Sequence, residues 1–187
     1  MIDLETVFSA WTGHRQFAEW LVTVMKPEVI VDLGVDYGYS TFCLANPGIG
    51  TVYGIDSFEG DVHTGFHADT FDKVHNMIKE NNYTNVEIIK GYFDEVCETW
   101  DKKIDILHID GLHTYEATLN NYEKWKRHLT DKSVLIMHDT VSFPEVRQVY
   151  DEIDMPKLMF EHSAGLGVLS NNAELMNLIK EKYGAKD

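Results

Sequence analysis

The sequence contains little cysteine, little proline and few positive charges. Its 187 residues include two cysteines, four prolines and 16 lysines and arginines against 31 acids, so the formal net charge is -15. Cys43 and Cys97 lie in apolar, helix-like stretches, which predicts two buried thiols rather than a disulfide and suits a reducing compartment. The excess of acid argues against nucleic acid and anionic membranes as partners, and it favours a small neutral or cationic ligand.

Long hydrophobic runs are also lacking. No stretch reaches the length of about 18 apolar residues that a membrane span needs, and the first five residues lack the basic start of a secretory signal. We therefore expect a cytoplasmic protein without a membrane partner. The length predicts one domain over 1–187, with a helical segment at 1–26 and an α/β core at 27–187. Trp11 and Trp20 could form the contact of a homo-oligomer, although burial against the sheet explains them equally well.

Hydrophobic periodicity predicts five alternating β-α units. The predicted strands are 28–33, 51–55, 86–90, 104–109 and 133–138, and the predicted helices are 14–25, 39–45, 69–81, 92–100 and 114–128. Such alternation is typical of a parallel sheet. A short helix follows Pro144, and two further strands at 157–161 and 166–169 predict an antiparallel hairpin at one edge of the sheet.

The first strand leads into a turn that is typical of a nucleoside site. Gly34 and Gly38 would let a ligand approach the backbone, and Asp56 ends the second strand 22 residues after Gly34, where an acid can bind ribose hydroxyls. The turn lacks the G-x-G-x-x-G pattern of dinucleotide sites, and Asp32 and Asp36 would repel a pyrophosphate. S-adenosylmethionine carries no phosphate and has two cationic groups, so this acidic turn favours it over NAD.

Acids and histidines also follow the fourth and fifth strands. Ligands of open α/β sheets bind at the carboxyl ends of the strands, where Asp110 and Asp139 should be neighbours. Asp110, His138 and Asp139 form a candidate site for Mg²⁺ or Mn²⁺, which could lower the pKa of a substrate hydroxyl. His113, with Asp110, is alternatively the candidate general base. The sequence leaves these roles open.

Two further predictions concern other histidines. Alternate residues of a strand face opposite sides of a sheet, so we expect only one of His108 and His138 to face the pocket. The polar loop at 57–68 follows Asp56 and is long enough to be a lid or a binding loop, with His63 and His67 as candidate substrate contacts.

Several longer motifs occur together and in one order. They are AWTGH with FAEWLV near the N-terminus, the turn VDLGVDYGYST, the segment YGIDSFEGDVHTGF, the long stretch IDILHIDGLHTYEATLNNYEKW, the strand end IMHDT and the closing GLGV. In this combination the chain resembles methyltransferase family 24, a group of small class I S-adenosylmethionine-dependent methyltransferases. The resemblance covers nearly the whole chain.

The resemblance implies a seven-stranded Rossmann-like fold with helices on both faces of the sheet. It places Asp32, Gly34 and Gly38 around the methionine part of the cofactor, Asp56 on the ribose, and Gly91, Tyr92 and Phe93 beside the adenine. The full predicted cofactor set is Asp32, Gly34, Tyr37, Gly38, Ser40, Asp56, Ser57, Gly91, Tyr92, Phe93 and Asp110.

Related sugar O-methyltransferases hold Mg²⁺ with acids at the ends of strands four and five. Here those positions are Asp110 and the pair His138-Asp139, so this chain has a histidine where the relatives have an acid. The resemblance favours the hydroxyl of a sugar, a polyol or a secondary metabolite as the methyl acceptor. It implies in-line transfer of a methyl group from sulfur to oxygen.

Two other functions fit part of the pattern. Proteins named cephalosporin hydroxylases share a similar fold, and Asp110, His113 and His138 could supply the two imidazoles and one carboxylate of an iron oxygenase. A non-catalytic module that only binds a nucleoside cofactor is the second alternative.

Overall fold

Strands and helices alternate along most of the chain. The computed structural model describes Leu4, Val7 and residues 9–62 and 70–184. The strands are β1 (Val29–Leu33), β2 (Thr51–Asp56), β3 (Val86–Lys90), β4 (Ile104–Ile109), β5 (Leu129–His138), β6 (Lys157–Phe160) and β7 (Leu166–Leu169). The α-helices are α1 (Arg15–Met25), α2 (Tyr39–Ala45), α3 (Thr70–Glu80), α4 (Phe93–Thr99), α5 (Tyr115–Trp125), α6 (Pro144–Glu152) and α7 (Ala173–Tyr183). Short 3-10 helices cover Ala10–His14 and Lys126–His128.

All seven strands belong to one sheet, in the order β3-β2-β1-β4-β5-β7-β6. The first five strands are parallel, whereas β7 runs antiparallel to both β5 and β6. The predicted parallel sheet with an antiparallel C-terminal hairpin is therefore confirmed. The strand order reverses between β1 and β4, and such a reversal opens a crevice at the carboxyl ends of the strands.

The helices cover both faces of the sheet, as predicted. Alternate residues of β1 face opposite sides of the sheet and so belong to different hydrophobic cores. Ile30 belongs to the core that includes residues of α1, α2, α3 and α7, and Val31 belongs to the core that includes residues of α4, α5 and α6. Asp32, His108 and His138 fall on the same face as Ile30.

The structure differs from the predicted elements by more than one residue at three places. Strand β5 begins at Leu129 rather than at 133, because its first residues are polar and partly exposed and so hide the strand pattern. The predicted helix at 114–128 ends at Trp125 and continues as a 3-10 turn. Helix α7 has no counterpart in the predicted elements, although Asn172 caps it and Leu175 and Ile179 are buried at helical spacing.

The turn between β6 and β7 has an unusual backbone. Ser163, Ala164 and Gly165 all have positive φ, at 48°, 67° and 91°. The carbonyl oxygen of Ala164 accepts hydrogen bonds from the amides of Val141 and Ser142, at 2.9 and 3.1 Å. The turn is thereby tied to the loop that follows β5.

The long loop predicted at 57–68 is described only as far as residue 62. His63 and His67 lie outside the described residues, so their predicted contacts with substrate stay predictions. Within the part of the chain that the structure describes, no helix has the length and apolar character required to cross a bilayer.

Candidate active site

A cavity of about 930 Å³ opens at the carboxyl ends of the parallel strands. Its volume lies in the range of small-molecule sites. The predicted site residues that line it are Gly34, Tyr37, Ser40, Asp56, Ser57, Gly91, Tyr92, Phe93, Asp110, His113, His138 and Asp139. Among the predicted cofactor, catalytic and metal residues, all of which the structure describes, Asp32 and Gly38 do not line it.

The turn after β1 requires glycine at its first position. Gly34 has φ +106°, and a Cβ atom there would lie 1.9 Å from the carbonyl oxygen of Asp110. The backbones that follow β1 and β4 therefore meet at this point, which only glycine allows. The amide of Gly34 donates to the carbonyl of Ile55, and the amide of Asp110 donates to that of Leu33, so the turn is fixed on both sides.

Asp56 holds the turn in shape. Its Oδ2 accepts hydrogen bonds from the amides of Val35 and Asp36, at 2.8 and 3.0 Å, and its Oδ1 accepts one from the amide of Phe58, at 2.7 Å. Each carboxylate oxygen has two acceptor positions, so Oδ1 keeps capacity for a ligand hydroxyl. The predicted ribose acid thus also organises the backbone around the cavity.

Gly91, Tyr92 and Phe93 form a wall of the cavity at the end of β3. Tyr92 is exposed, and its hydroxyl donates to Oε2 of Glu59 at 2.7 Å. Phe93 begins α4 and lies against Gly111, where a Cβ atom would be 2.6 Å from its ring. An aromatic wall of this kind suits a flat heterocycle.

Two carboxylates and two imidazoles meet at the ends of β4 and β5. Nε2 of His113 lies 2.9 Å from Oδ2 of Asp139 and 3.6 Å from Oδ1 of Asp110. Nδ1 of His138 lies 3.1 Å from Oδ2 of Asp139 and 3.4 Å from Oδ2 of Asp110. We call these four residues the Asp-His cluster. Asp139 has φ +62°, a strained backbone for a residue other than glycine, and such strain is frequent at functional sites.

The imidazoles of the Asp-His cluster are protonated at neutral pH. Burial alone would lower their pKa, but the two carboxylates outweigh it and raise the pKa of His113 to about 9 and that of His138 to about 10. Burial would raise the pKa of Asp110 and of Asp139, yet the neighbouring imidazoles hold both carboxyl pKa values below their usual range. Two positive and two negative charges therefore balance.

Hydrogen bonding supports the same state for His138. Its Nε2 lies 3.1 Å from the carbonyl oxygen of Ser163, so that nitrogen donates a proton. Its Nδ1 faces two carboxylates and must donate as well. His113 is held differently, since its ring stacks on Phe143 at 4.2 Å between centroids and at 13° between planes.

The donor atoms that could bind a cation differ in one member from the predicted set. One atom each from Asp110, His113 and Asp139 lie within 4.8 Å of one another. His113 thus stands in this group where the sequence predicted His138, whose nitrogens face Ser163 and the two acids. Two carboxylates and one imidazole fit Mg²⁺ or Mn²⁺.

Comparison with known proteins decides the family. A family model described as a methyltransferase domain matches residues 31–140, which is more than half of the chain and includes the turn, Asp56, Asp110 and Asp139. The chain belongs to this methyltransferase family. The predictions of a class I fold and of membership in a methyltransferase family are confirmed.

Individual relatives differ in length and in identity to this methyltransferase. Over 179 aligned residues it is 32% identical to the uncharacterised protein y4gI of Sinorhizobium fredii, and the match covers 86% of this chain but 19% of that protein. An O-methyltransferase from Bacillus cereus in complex with SAH has a TM-score of 0.65 at 17% identity, covering 85% of this chain and 81% of its own. The O-methyltransferase TomG from Streptomyces achromogenes in complex with SAM, involved in tomaymycin synthesis, has a TM-score of 0.65 at 15% identity, with 86% and 87% covered.

Two predicted cofactor residues of the methyltransferase act from beneath the cavity. Asp32 is fully buried, and its carboxylate accepts hydrogen bonds from Ser40, Thr41 and His108. Gly38 caps α2 with φ +85°, and a Cβ atom there would lie 2.6 Å from the ring of Phe42. Neither residue contacts the space that a cofactor would fill.

Only one of His108 and His138 lines the cavity, as expected, but the expected reason, that they face opposite sides of the sheet, is wrong. His108 pairs in register with Asp32 and with Ile136, whereas His138 follows the next residue pair. Both imidazoles project from the same face of the sheet, but His108 lies one pair of residues deeper. Because His108 lies deeper, His138 lines the cavity and His108 does not.

Sequence reasoning missed part of the cavity wall. The N-terminal 3-10 segment contributes Ser9, Ala10 and Trp11, and helix α5 contributes Ala117, Asn120 and Asn121. The helix repeat in HTYEATLNNYEKW could have placed the asparagines on the same side as His113. Nothing in the local sequence indicates that Trp11 turns back to the end of β4.

Proposed function

We propose that this methyltransferase transfers a methyl group from S-adenosylmethionine to a hydroxyl oxygen of a small sugar-like or polyol-like acceptor. The observation that supports the proposal is the Asp-His cluster beside the glycine turn, in one cavity. S-adenosylmethionine supplies an electrophilic methyl group on a positively charged sulfur. The protein must hold that donor, bring a hydroxyl oxygen in line with it, exclude water and remove the hydroxyl proton.

The donor would occupy the half of the cavity between the glycine turn and the wall at Tyr92 and Phe93. Asp56 offers acceptor capacity at Oδ1 for a ribose hydroxyl, and the aromatic wall offers a face for adenine. The described cavity wall includes the acids Asp36, Asp56, Asp61, Asp94, Glu95, Asp110 and Asp139 but no lysine or arginine. This charge suits a cationic donor and an acceptor without phosphate.

The acceptor hydroxyl would lie at the Asp-His cluster. A pKa of about 9 leaves His113 protonated at neutral pH, so the imidazole must lose that proton before it can serve as a base or as a metal ligand. Asp110 stays ionised and can accept a hydrogen bond from the hydroxyl. We therefore assign the hydroxyl proton to His113 in its neutral form, which arises once the imidazolium has released its own proton to water. Asp110 accepts the hydrogen bond of the hydroxyl, and Asp139 keeps the imidazole in place at 2.9 Å.

Metal assistance is the alternative route within the proposal, because a His113 nitrogen that binds a cation cannot also take the hydroxyl proton. A divalent cation held by Asp110, His113 and Asp139 would lower the pKa of the acceptor hydroxyl. The same group does not match an iron oxygenase, which uses two imidazoles and one carboxylate. The earlier set with His138 as third ligand remains the alternative for the metal.

The proposal also covers the domain organisation, the cellular location and the oligomeric state of the protein. We propose that residues 1–187 act as one methyltransferase domain, since Trp11 of the N-terminal segment belongs to the core and to the cavity wall. Cys43 and Cys97 are free and buried, which supports a cytoplasmic location. Homo-oligomer formation stays a prediction.

Calorimetric titration with S-adenosylhomocysteine tests the donor site. We expect binding by the wild type and a loss of about tenfold or more in Asp56→Asn, because the neutral amide keeps one acceptor oxygen where the carboxylate has two. Asp131→Asn, at an exposed position of β5, is the matched control and should bind like the wild type. Absence of binding by the wild type would contradict the proposal.

The acceptor screen uses neutral sugars and polyols with S-adenosylmethionine, with Mg²⁺, with Mn²⁺ and with a chelator. Turnover that disappears with the chelator supports a metal-dependent reaction. Turnover that persists with the chelator supports His113 as the base that takes the hydroxyl proton. Donor binding without turnover of any acceptor would favour the non-catalytic alternative.

A further inference from the structure

A chain of buried hydrogen bonds runs beneath the floor of the cavity. The hydroxyls of Ser40 and Thr41 donate to Oδ2 of Asp32. On the other side, Oδ1 of Asp32 lies 2.6 Å from Nδ1 of His108, and Nε2 of His108 lies 3.2 Å from the indole nitrogen of Trp11. None of these five side chains is more than 5% exposed.

The protons of this chain have only one consistent arrangement. An indole N–H can donate but cannot accept, so Nε2 of His108 must be the acceptor and carries no proton. Nδ1 of His108 therefore holds the ring proton and donates it to Asp32. The arrangement makes His108 a neutral imidazole with a single tautomer. The indole of Trp11 donates to His108, and His108 in turn donates to Asp32.

Trp11 connects this chain to the cavity. It is 1% exposed, yet it lines the cavity, and its ring lies 6.0 Å from the ring of His138 and 5.2 Å from that of His108. His14 packs edge-on against the same indole at 5.5 Å. The indole therefore forms a wall beside the Asp-His cluster, and its one hydrogen bond fixes its orientation.

We propose that Asp32 and His108 are positioning residues for Trp11, which forms the fixed wall of the acceptor half of the cavity. The acid at the end of β1 then works from beneath the floor and makes no contact with the methyl donor. The assignment of an acceptor half of the cavity rests on the proposed function. The hydrogen-bond pattern, and the expectation that these residues do not contribute to binding of the methyl donor, do not rest on it.

The first test compares the affinity of the variants for S-adenosylhomocysteine. His108→Asn keeps a donor towards Asp32 but removes the acceptor for the indole, and Trp11→Phe keeps a ring but removes the N–H. We expect both to bind within about threefold of the wild type, whereas Asp56→Asn should lose about tenfold or more. A loss in His108→Asn or Trp11→Phe as large as that in Asp56→Asn would overturn the proposal.

The second test reads the hydrogen bonds directly by NMR. The four indole N–H signals are assigned by substitution, and ring nitrogens report the tautomer of His108. We expect the Nδ1–H tautomer and a Trp11 N–H protected from exchange. That protection should disappear in His108→Asn and return in His108→Gln, whose amide oxygen can reach the place of Nε2. The Nε2–H tautomer, or an indole N–H that exchanges freely in the wild type, would refute the chain.

The third test separates positioning from mere stability. With an acceptor identified by the screen, Trp11→Phe and His108→Asn should raise the acceptor KM while donor affinity stays near that of the wild type, and His108→Gln should recover part of the loss. An unchanged KM would overturn the role of Trp11. If the wild type binds no donor, the proposed function fails, while the NMR result still decides the hydrogen-bonded chain.

Discussion

The neutral form of His14 is predicted to make the stability of this methyltransferase depend on pH. His14 is completely buried, its Nε2 lies 3.1 Å from the carbonyl of Ser163, and its ring stacks on His162 at 4.6 Å. Burial lowers the pKa of His14 most, and the charge of His138 lowers it further, to about 3 from 6.5. The folded protein therefore holds His14 neutral under conditions in which the unfolded chain protonates it.

The sign and size of the effect follow from linkage. Between pH 6.5 and pH 3 the unfolded state binds more protons, so the contribution of His14 is complete above pH 6.5 and is lost as the pH falls. The free energy of unfolding should decrease by about 2 kcal/mol at pH 5 relative to pH 8 through this residue alone. His113 and His138 have raised pKa values, so their contribution is complete below pH 6.5 and declines above it.

Because those two contributions have opposite signs, the measurement compares two proteins. Urea unfolding of the wild type and of His14→Gln at pH 5 and pH 8 gives four free energies, and glutamine can still donate to Ser163. We expect the wild type to lose about 2 kcal/mol more than the variant between the two pH values. An equal pH dependence in the wild type and His14→Gln would refute the reasoning.

Three further predictions concern the turn, the metal and the last helix. Gly34→Ala should abolish S-adenosylhomocysteine binding in calorimetry because its Cβ would lie 1.9 Å from the Asp110 carbonyl oxygen, whereas Gly48→Ala, with φ +68° and open space, should cost about 1 kcal/mol and keep binding. His113→Gln should lower Mn²⁺ affinity by at least about tenfold in a titration, since even residues that only support a ligand contribute that much, and an unchanged affinity would exclude His113 as a ligand. Ile179→Ala should lower the free energy of unfolding by about 2 to 5 kcal/mol in urea, and a smaller loss would mean that α7 is not part of the core.

The sequence predicted the elements that depend on local patterns. Strands β3 and β4 and helix α2 begin and end where periodicity placed them, because apolar runs and the breakers at Asn46, Pro47 and Gly48 are local signals. The glycine turn and the acids at strand ends were predictable for the same reason. Most of the site residues predicted from these two features line one cavity.

The remaining features depend on pairing between distant parts of the chain. The depth of His108 follows from the register of β4 against β1, which no local pattern specifies. The presence of His113 rather than His138 among the possible cation ligands depends on how the chain runs from β4 into α5. Trp11 reaches His108 across 97 residues of sequence, so its place in the wall needed the tertiary structure.

The turn between β6 and β7 sets an order in which the site can assemble. The carbonyl oxygen of Ser163 accepts from both His14 and His138, one near the start of the chain and one at the end of β5. A ribosome has therefore made every acid and imidazole of the Asp-His cluster before it makes the residue that holds His138 in place. A nascent chain that ends before Ser163 contains every acid and imidazole of the Asp-His cluster but lacks the carbonyl oxygen that accepts from His138, so the observed position of His138 needs the C-terminal hairpin.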